Sequence, residues 1–253
     1  MKAAERSGAP EEFALKLEPR KSWSPARVLT AVTLGAWCGL FWFLLLGDRT
    51  PLYLSTRTDW VVPLGAIILT IATIGRLATA RVERPPALTR REAWGAGVIL
   101  LPVVAVLALP PTSLGSFAAD RRSSFAGAGF TTSAEQIETG ELTLVDVIGA
   151  ERDREAMRAL ARRAGTEVSF VGFVTRPKSS PADEFVLTRF VVSCCVADAL
   201  AVQVRVVGAP PGRFDPDDWV RVTGRIYPLG SEIVVQASEV EGTARPKHPY
   251  LNP

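Results

Sequence analysis

The sequence predicts a membrane α-helical module of three transmembrane helices followed by a soluble all-β domain, an OB-like five-stranded small barrel. Three observations lead there. Long apolar runs crowd the first 110 residues, the chain beyond Val168 alternates apolar and polar side chains, and proline and glycine clusters cut that tail into short segments.

The first apolar run, Val28 to Leu46, carries no charge and, at ~1.5 Å per residue, can cross a ~30 Å hydrocarbon layer. The second runs from Trp60 to Ile74 and reaches Ala80 if Arg76 snorkels toward the headgroups. The third, Ala93 to Leu109, stops at Pro110-Pro111. The expected spans are 28–46, 60–80 and 93–109, with a two-span arrangement as the fallback. A cleaved signal peptide suits the first run poorly: the run is too long, and Leu46-Gly47-Asp48-Arg49 offers no small-x-small cleavage site.

Basic residues set the expected orientation. The leader, 1–27, holds Lys2, Arg6, Lys16, Arg20, Lys21 and Arg27, and the second connection holds Arg76, Arg81, Arg84, Arg90 and Arg91. The first connection, Gly47 to Asp59, has only Arg49 and Arg57. The positive-inside bias then puts the leader and the second connection in the cytoplasm. Three crossings of the plasma membrane leave everything after Pro111 extracytoplasmic. A net charge of +3 over 253 residues gives no licence for nucleic-acid binding.

Residues 111–150 are grouped as a linker, because Pro110 to Thr132 is rich in Ser, Gly, Ala and Pro and shows no sustained period. The domain proper is 151–253. It opens on a helix over Asp153 to Ala164, with Met157, Leu160 and Ala161 at helical spacing and Gly165 as its stop. Five strands follow: 168–175, 185–196, 201–207, 218–227 and 232–240. Val202, Val204 and Val206 share one face, and Val220, Val222, Gly224 and Ile226 another. Gly172 and Gly224, inside strands, predict bends or bulges of the kind a small closed sheet needs. An open meander packed on the preceding helix is the alternative to the barrel.

The chain has three cysteines, too few for a disulfide framework. Cys38 falls inside the first span, while Cys194 and Cys195 are adjacent, and Asp198 follows three residues later. Neighbouring Cα atoms ~3.8 Å apart lie closer than a disulfide normally spans. On a regular strand the two thiols would point to opposite faces. Two thiolates and a carboxylate suit a soft or borderline metal such as Zn²⁺, with His248, the single histidine, as a distant fourth ligand. The competing reading is two small side chains packed in a barrel strand beside an ordinary turn.

The run Arg189-Phe190-Val191-Val192-Ser193-Cys194-Cys195-Val196-Ala197-Asp198-Ala199 resembles the signature of the YcgQ family of bacterial integral membrane proteins. Gly172-Phe173-Val174, Asp218-Trp219-Val220-Arg221-Val222-Thr223-Gly224, Pro249-Tyr250-Leu251 and the Leu109-Pro110-Pro111 exit resemble it as well. The resemblance covers roughly Leu29 to Leu251. The His/Cys-rich loop of some members between spans two and three is arginine-rich here, so no metal role carries over from it. What the resemblance implies is an accessory subunit encoded beside a multi-span YcgR-type permease, in systems some of which are linked to zinc supply.

Three function classes follow. In the first, the spans dock on a multi-span permease, aided by Gly35, Gly39, Gly65, Gly95 and Gly97, and the external domain binds a metal or other ligand. In the second, the chain is a stand-alone membrane-anchored binding or scaffold protein, with Trp219 or Tyr227 in a contact patch. Phe170, Phe173 and Phe190 could serve an OB barrel as base-stacking platforms, but their apolar neighbours predict core packing instead. The third class, an enzyme, finds no H-E-x-x-H, G-x-S-x-G or G-x-x-x-x-G-K-[ST] pattern, and a non-catalytic protein is expected.

Overall fold

The computed structural model describes residues 21–83, 85–109, 112–121, 132–151, 153–178, 180–230 and 232–252. The first twenty residues of the expected leader, and the linker at 110–111 and 122–131, lie outside them. Two compact units divide the chain: Met1–Cys38 with Ile68–Val103, and Gly39–Ile67 with Val104–Pro253.

Three helices are long and apolar enough to cross a membrane: α1 (Pro25–Leu46), α2 (Val61–Ala78) and α3 (Arg90–Ala108). Each matches an expected span with its ends shifted by local chemistry. Pro25 opens α1 three residues early, since its missing N–H costs nothing at the first helical position. Thr89 draws Arg90 and Arg91 into α3: the Thr89 N–H and hydroxyl both donate to Glu92 Oε2 at 2.9 Å, and Glu92 N donates back to Thr89 Oγ1 at 3.3 Å.

Within the first unit, Trp37 Nε1 donates to the Ile99 carbonyl at 3.2 Å, and Cys38 Sγ lies 3.2 Å from Thr70 Oγ1. Ser22–Trp23 pairs antiparallel with Arg81–Val82, and Arg81 lies over the Trp23 ring. The small residues behave unequally. A Cβ on Gly35 would sit 3.6 Å from Thr73, whereas one on Gly39, Gly95 or Gly97 would meet nothing within 4 Å.

The second unit carries the barrel. Its strands are β1 (Glu167–Thr175), β2 (Glu184–Val191), β3 (Leu200–Val207), β4 (Trp219–Leu229) and β5 (Glu232–Gly242), closed in the order β1-β2-β3-β5-β4. All neighbours are antiparallel except β3 and β5, which run parallel. This closed mixed barrel, rather than the open meander, is the OB-like architecture. Closure turns on Gly224, where the register of β4 on β5 slips between Thr223 and Gly224. A Cβ there would lie 2.2 Å from the Gln236 carbonyl oxygen.

The alternating valines fill the interior: Val202, Val204, Val206, Val220, Val222 and Ile226 are all buried. Phe170, Phe173 and Phe190 are buried too, so none serves as an exposed stacking platform. Helix α7 (Arg154–Arg162) is capped by Asp153, whose carboxylate accepts from Glu155 N and Ala156 N. It presses Ala156, Ala159 and Leu160 into the same cluster as the barrel core. The chain then turns at Gly165, φ +82°, whose N–H reaches the Ile226 carbonyl at 2.8 Å.

Ahead of α7, three short helices occur among the described residues: α4 (Ser116–Ala119), α5 (Ala134–Thr139) and α6 (Leu144–Ala150). Residues 132–150, grouped with the linker on sequence grounds, bring Ile137, Leu142, Leu144 and Val147 into the barrel's hydrophobic cluster. The sequence hid them because helices this short give too few turns for a helical period to show.

Gly224→Ala should destabilise the barrel by about 3 kcal/mol, the scale of forced overpacking, because backbone rather than a flexible side chain stands in the way. Urea unfolding of the detergent-solubilised full chain, followed by tryptophan fluorescence, checks this; an unchanged midpoint would contradict it.

Candidate metal centre on the vicinal-cysteine loop

Strand β2 stops at Val191, five residues before the expected end at Val196. The cause is Asp198. Its Oδ1 accepts from Ser193 N at 2.9 Å, and its Oδ2 accepts from Cys194 N at 2.8 Å and Cys195 N at 3.4 Å. These N–H groups therefore leave the strand ladder and curl about a carboxylate, and one turn of 3-10 helix follows at Val196–Asp198. The cysteines do not sit on a regular strand, so their side chains are not sent to opposite faces. Cys194 is exposed and Cys195 half-buried, which excludes the reading of two small side chains packed in the core.

The fold brings Cys194, Cys195 and Asp198 together: one ligand atom from each lies within 4.8 Å of the others. The two sulfurs are 3.6 Å apart, and both thiols are free. Zn–S bonds of ~2.3 Å at a tetrahedral angle need sulfurs about 3.8 Å apart, so the pair fits such an ion with little movement. His248 is not part of the cluster. It lines a separate hollow of about 300 Å³ with Asp48, Asp59 and Trp60.

The Cys194 thiol is a poor nucleophile as it stands. Hydrogen bonding to Asp198, then to Cys195, followed by desolvation and the nearby negative charge, pushes the Cys194 thiol up to about 11. Desolvation alone would raise the Asp198 carboxyl, but hydrogen bonds from the Cys194 thiol and from the backbone of Cys194, Ser193 and Cys195 outweigh it and hold the group below its ordinary value. Asp198 thus stays ionised at neutral pH while Cys194 stays protonated. A metal binding here has to displace thiol protons, which ties its affinity to pH.

Two further segments hold the loop, and sequence reasoning missed both. The first connection clamps it: Ser55 N and Thr58 Oγ1 donate to the Cys194 carbonyl at 3.2 and 2.6 Å, and Val196 N donates to the Tyr53 carbonyl at 2.8 Å. The C-terminal segment closes the far side. Leu251 bridges to Val191, Tyr250 OH donates to the Leu52 carbonyl at 3.2 Å, and Asn252 bonds both Ser55 and Thr56. Contacts spanning some 136 residues of chain leave no local signature.

Arg189 pins that segment to the barrel. Its guanidinium donates to the carbonyls of His248 at 2.9 Å and Pro249 at 3.1 Å, and lies over the Trp219 ring. Burial lowers its basicity from the ordinary arginine value. An arginine directly before the apolar run Phe190-Val191-Val192 was the one available hint.

In a chain with Cys38→Ser and Cys195→Ser, alkylation of Cys194 by iodoacetamide should keep accelerating beyond pH 9. Adding Asp198→Asn should move the half-point down toward the usual thiol range of about 8.5. Superimposable pH–rate profiles, read by peptide mass spectrometry, would remove Asp198 as the cause.

Residues 151–253, which comprise α7, the barrel, the cysteine loop and the C-terminal segment, match the family model of the DUF1980 C-terminal domain. A comparison with curated proteins gives no match.

Proposed function

We propose that this chain is a non-catalytic membrane-anchored metal-binding protein, acting as the accessory subunit of a permease system at the plasma membrane. The observation that carries the reading is the convergence of Cys194, Cys195 and Asp198 on an exposed loop at a spacing suited to Zn²⁺. Three donors from the chain leave a fourth position open, as exchangeable rather than structural sites do. The protonated state of Cys194 speaks against thiol catalysis. The YcgQ resemblance supports the permease partner, and the open space at Gly39, Gly95 and Gly97 leaves room for helices of another protein in the bilayer.

An extracytoplasmic barrel accords with two features. The leader and the second connection are rich in arginine and lysine. Residues 53–58, between α1 and α2, share hydrogen bonds with the barrel's cysteine loop, as an odd number of crossings requires.

A second reading, a stand-alone binding or scaffold protein, is favoured by a hollow of about 600 Å³ beside the barrel. Phe173, Trp219, Asp217 and Arg245 are among its lining residues. Its lining combines aromatic side chains with one cation and one carboxylate.

Calorimetric titration of the full chain in detergent should show about one Zn²⁺ per chain, lost in Cys194→Ala/Cys195→Ala. Affinity should weaken about tenfold or more for each unit that pH falls below neutrality, as bound thiol protons dictate. Equal heats in both proteins would leave the thiols without a metal role. Affinity purification in mild detergent should recover a multi-span permease, and crosslinking that yields this chain alone would count against the subunit reading.

A further inference from the structure

We propose that the cleft where α1 and α3 begin and α2 ends holds the phosphate of an anionic glycerophospholipid, with Arg76 as its cation. The cleft encloses about 310 Å³, and Leu29, Thr30, Thr33, Arg76, Glu92 and Gly95 are among its lining residues. Arg76 supplies the only positive charge in that lining. Its Nε is shut away from solvent and has no hydrogen-bond acceptor among the described residues. A guanidinium cannot shed its proton, so a buried N–H left without an acceptor is a standing cost.

The cleft's own groups do not meet that need. Glu92 is the only carboxylate in the lining, and its Oε2 is committed to the N–H and hydroxyl of Thr89. The hydroxyls of Thr30 and Thr33 donate to the carbonyls of Ala26 and Leu29 at 2.8 and 2.9 Å along their own helix. An anion suits a guanidinium best, and a phosphate diester presents the paired oxygens that its fork grips.

A lipid is favoured over a soluble phosphate by the surroundings. The cleft lies at the ends of helices whose flanks expose Ile71, Ile74, Val98 and Leu101, surfaces along which acyl chains can run. Arg81, Arg90 and Arg91 are exposed around the same helix ends and favour anionic headgroups. Trp23 and Trp94 are exposed there as well, as interfacial tryptophans are.

The test uses the full chain released from bilayers of equal phosphatidylcholine and phosphatidylglycerol, with retained lipid counted by native mass spectrometry. One phosphatidylglycerol per chain should survive, and Arg76→Gln should cut its retention by about tenfold. Gly95→Leu should do the same while keeping the arginine, because Gly95 lines the cleft and a Cβ there meets nothing within 4 Å. Arg91→Gln, at an exposed position, should change retention by less than about twofold. Equal losses in Arg76→Gln and Arg91→Gln, or undiminished retention in Gly95→Leu, would reduce the effect to nonspecific surface charge and overturn the site. Displacement of the lipid by millimolar inorganic phosphate would overturn the lipid assignment in favour of a soluble anion.

Discussion

The Asp198 carboxylate organises the part of the molecule where chemistry is concentrated. By accepting three successive backbone N–H groups it ends a strand early, lifts two thiols out of the core and keeps one of them protonated. The Cys194 carbonyl in turn accepts from Ser55 N and Thr58 Oγ1. Charge-assisted bonds to backbone N–H groups are among the stronger ones available to a loop, which is why so short a segment keeps a defined shape. A regular strand at the same place would have sent one thiol inward and dispersed the donors.

The loop does not stand by itself. Its neighbours come from the connection between α1 and α2 and from the last residues of the chain, with Arg189 fixing the latter against the barrel. Burying a guanidinium is costly unless its N–H groups are met, and here backbone carbonyls meet them without a carboxylate. The thiol loop is thus flanked by the segment that joins α1 and α2.

The helices show a different economy. Glu92 lines the same cleft as Arg76, but its Oε2 caps the first turn of α3. One carboxylate cannot serve a helix terminus and a guanidinium equally well, and the terminus is nearer in sequence.

The three apolar helices, the five strands and the alternating burial of their valines were legible in the sequence, because apolar periodicity and run length are local properties that lipid and core enforce directly. The irregularity at Gly224 was legible because a glycine inside a strand pattern marks a bulge. Cys194, Cys195 and Asp198 could be singled out as residue types able to bind a metal, but their arrangement depended on where β2 ended. That end was set by a side chain taking hydrogen bonds from three backbone groups, an event no periodicity records. The helices within 132–150, the anchoring arginine, the clamp from residues 53–58 and the separation of His248 from the thiols all rest on contacts between segments far apart in the chain. Only tertiary structure decides those, because a contact's worth depends on which surfaces the closed barrel leaves beside one another, and that is fixed after the local pattern has been spent.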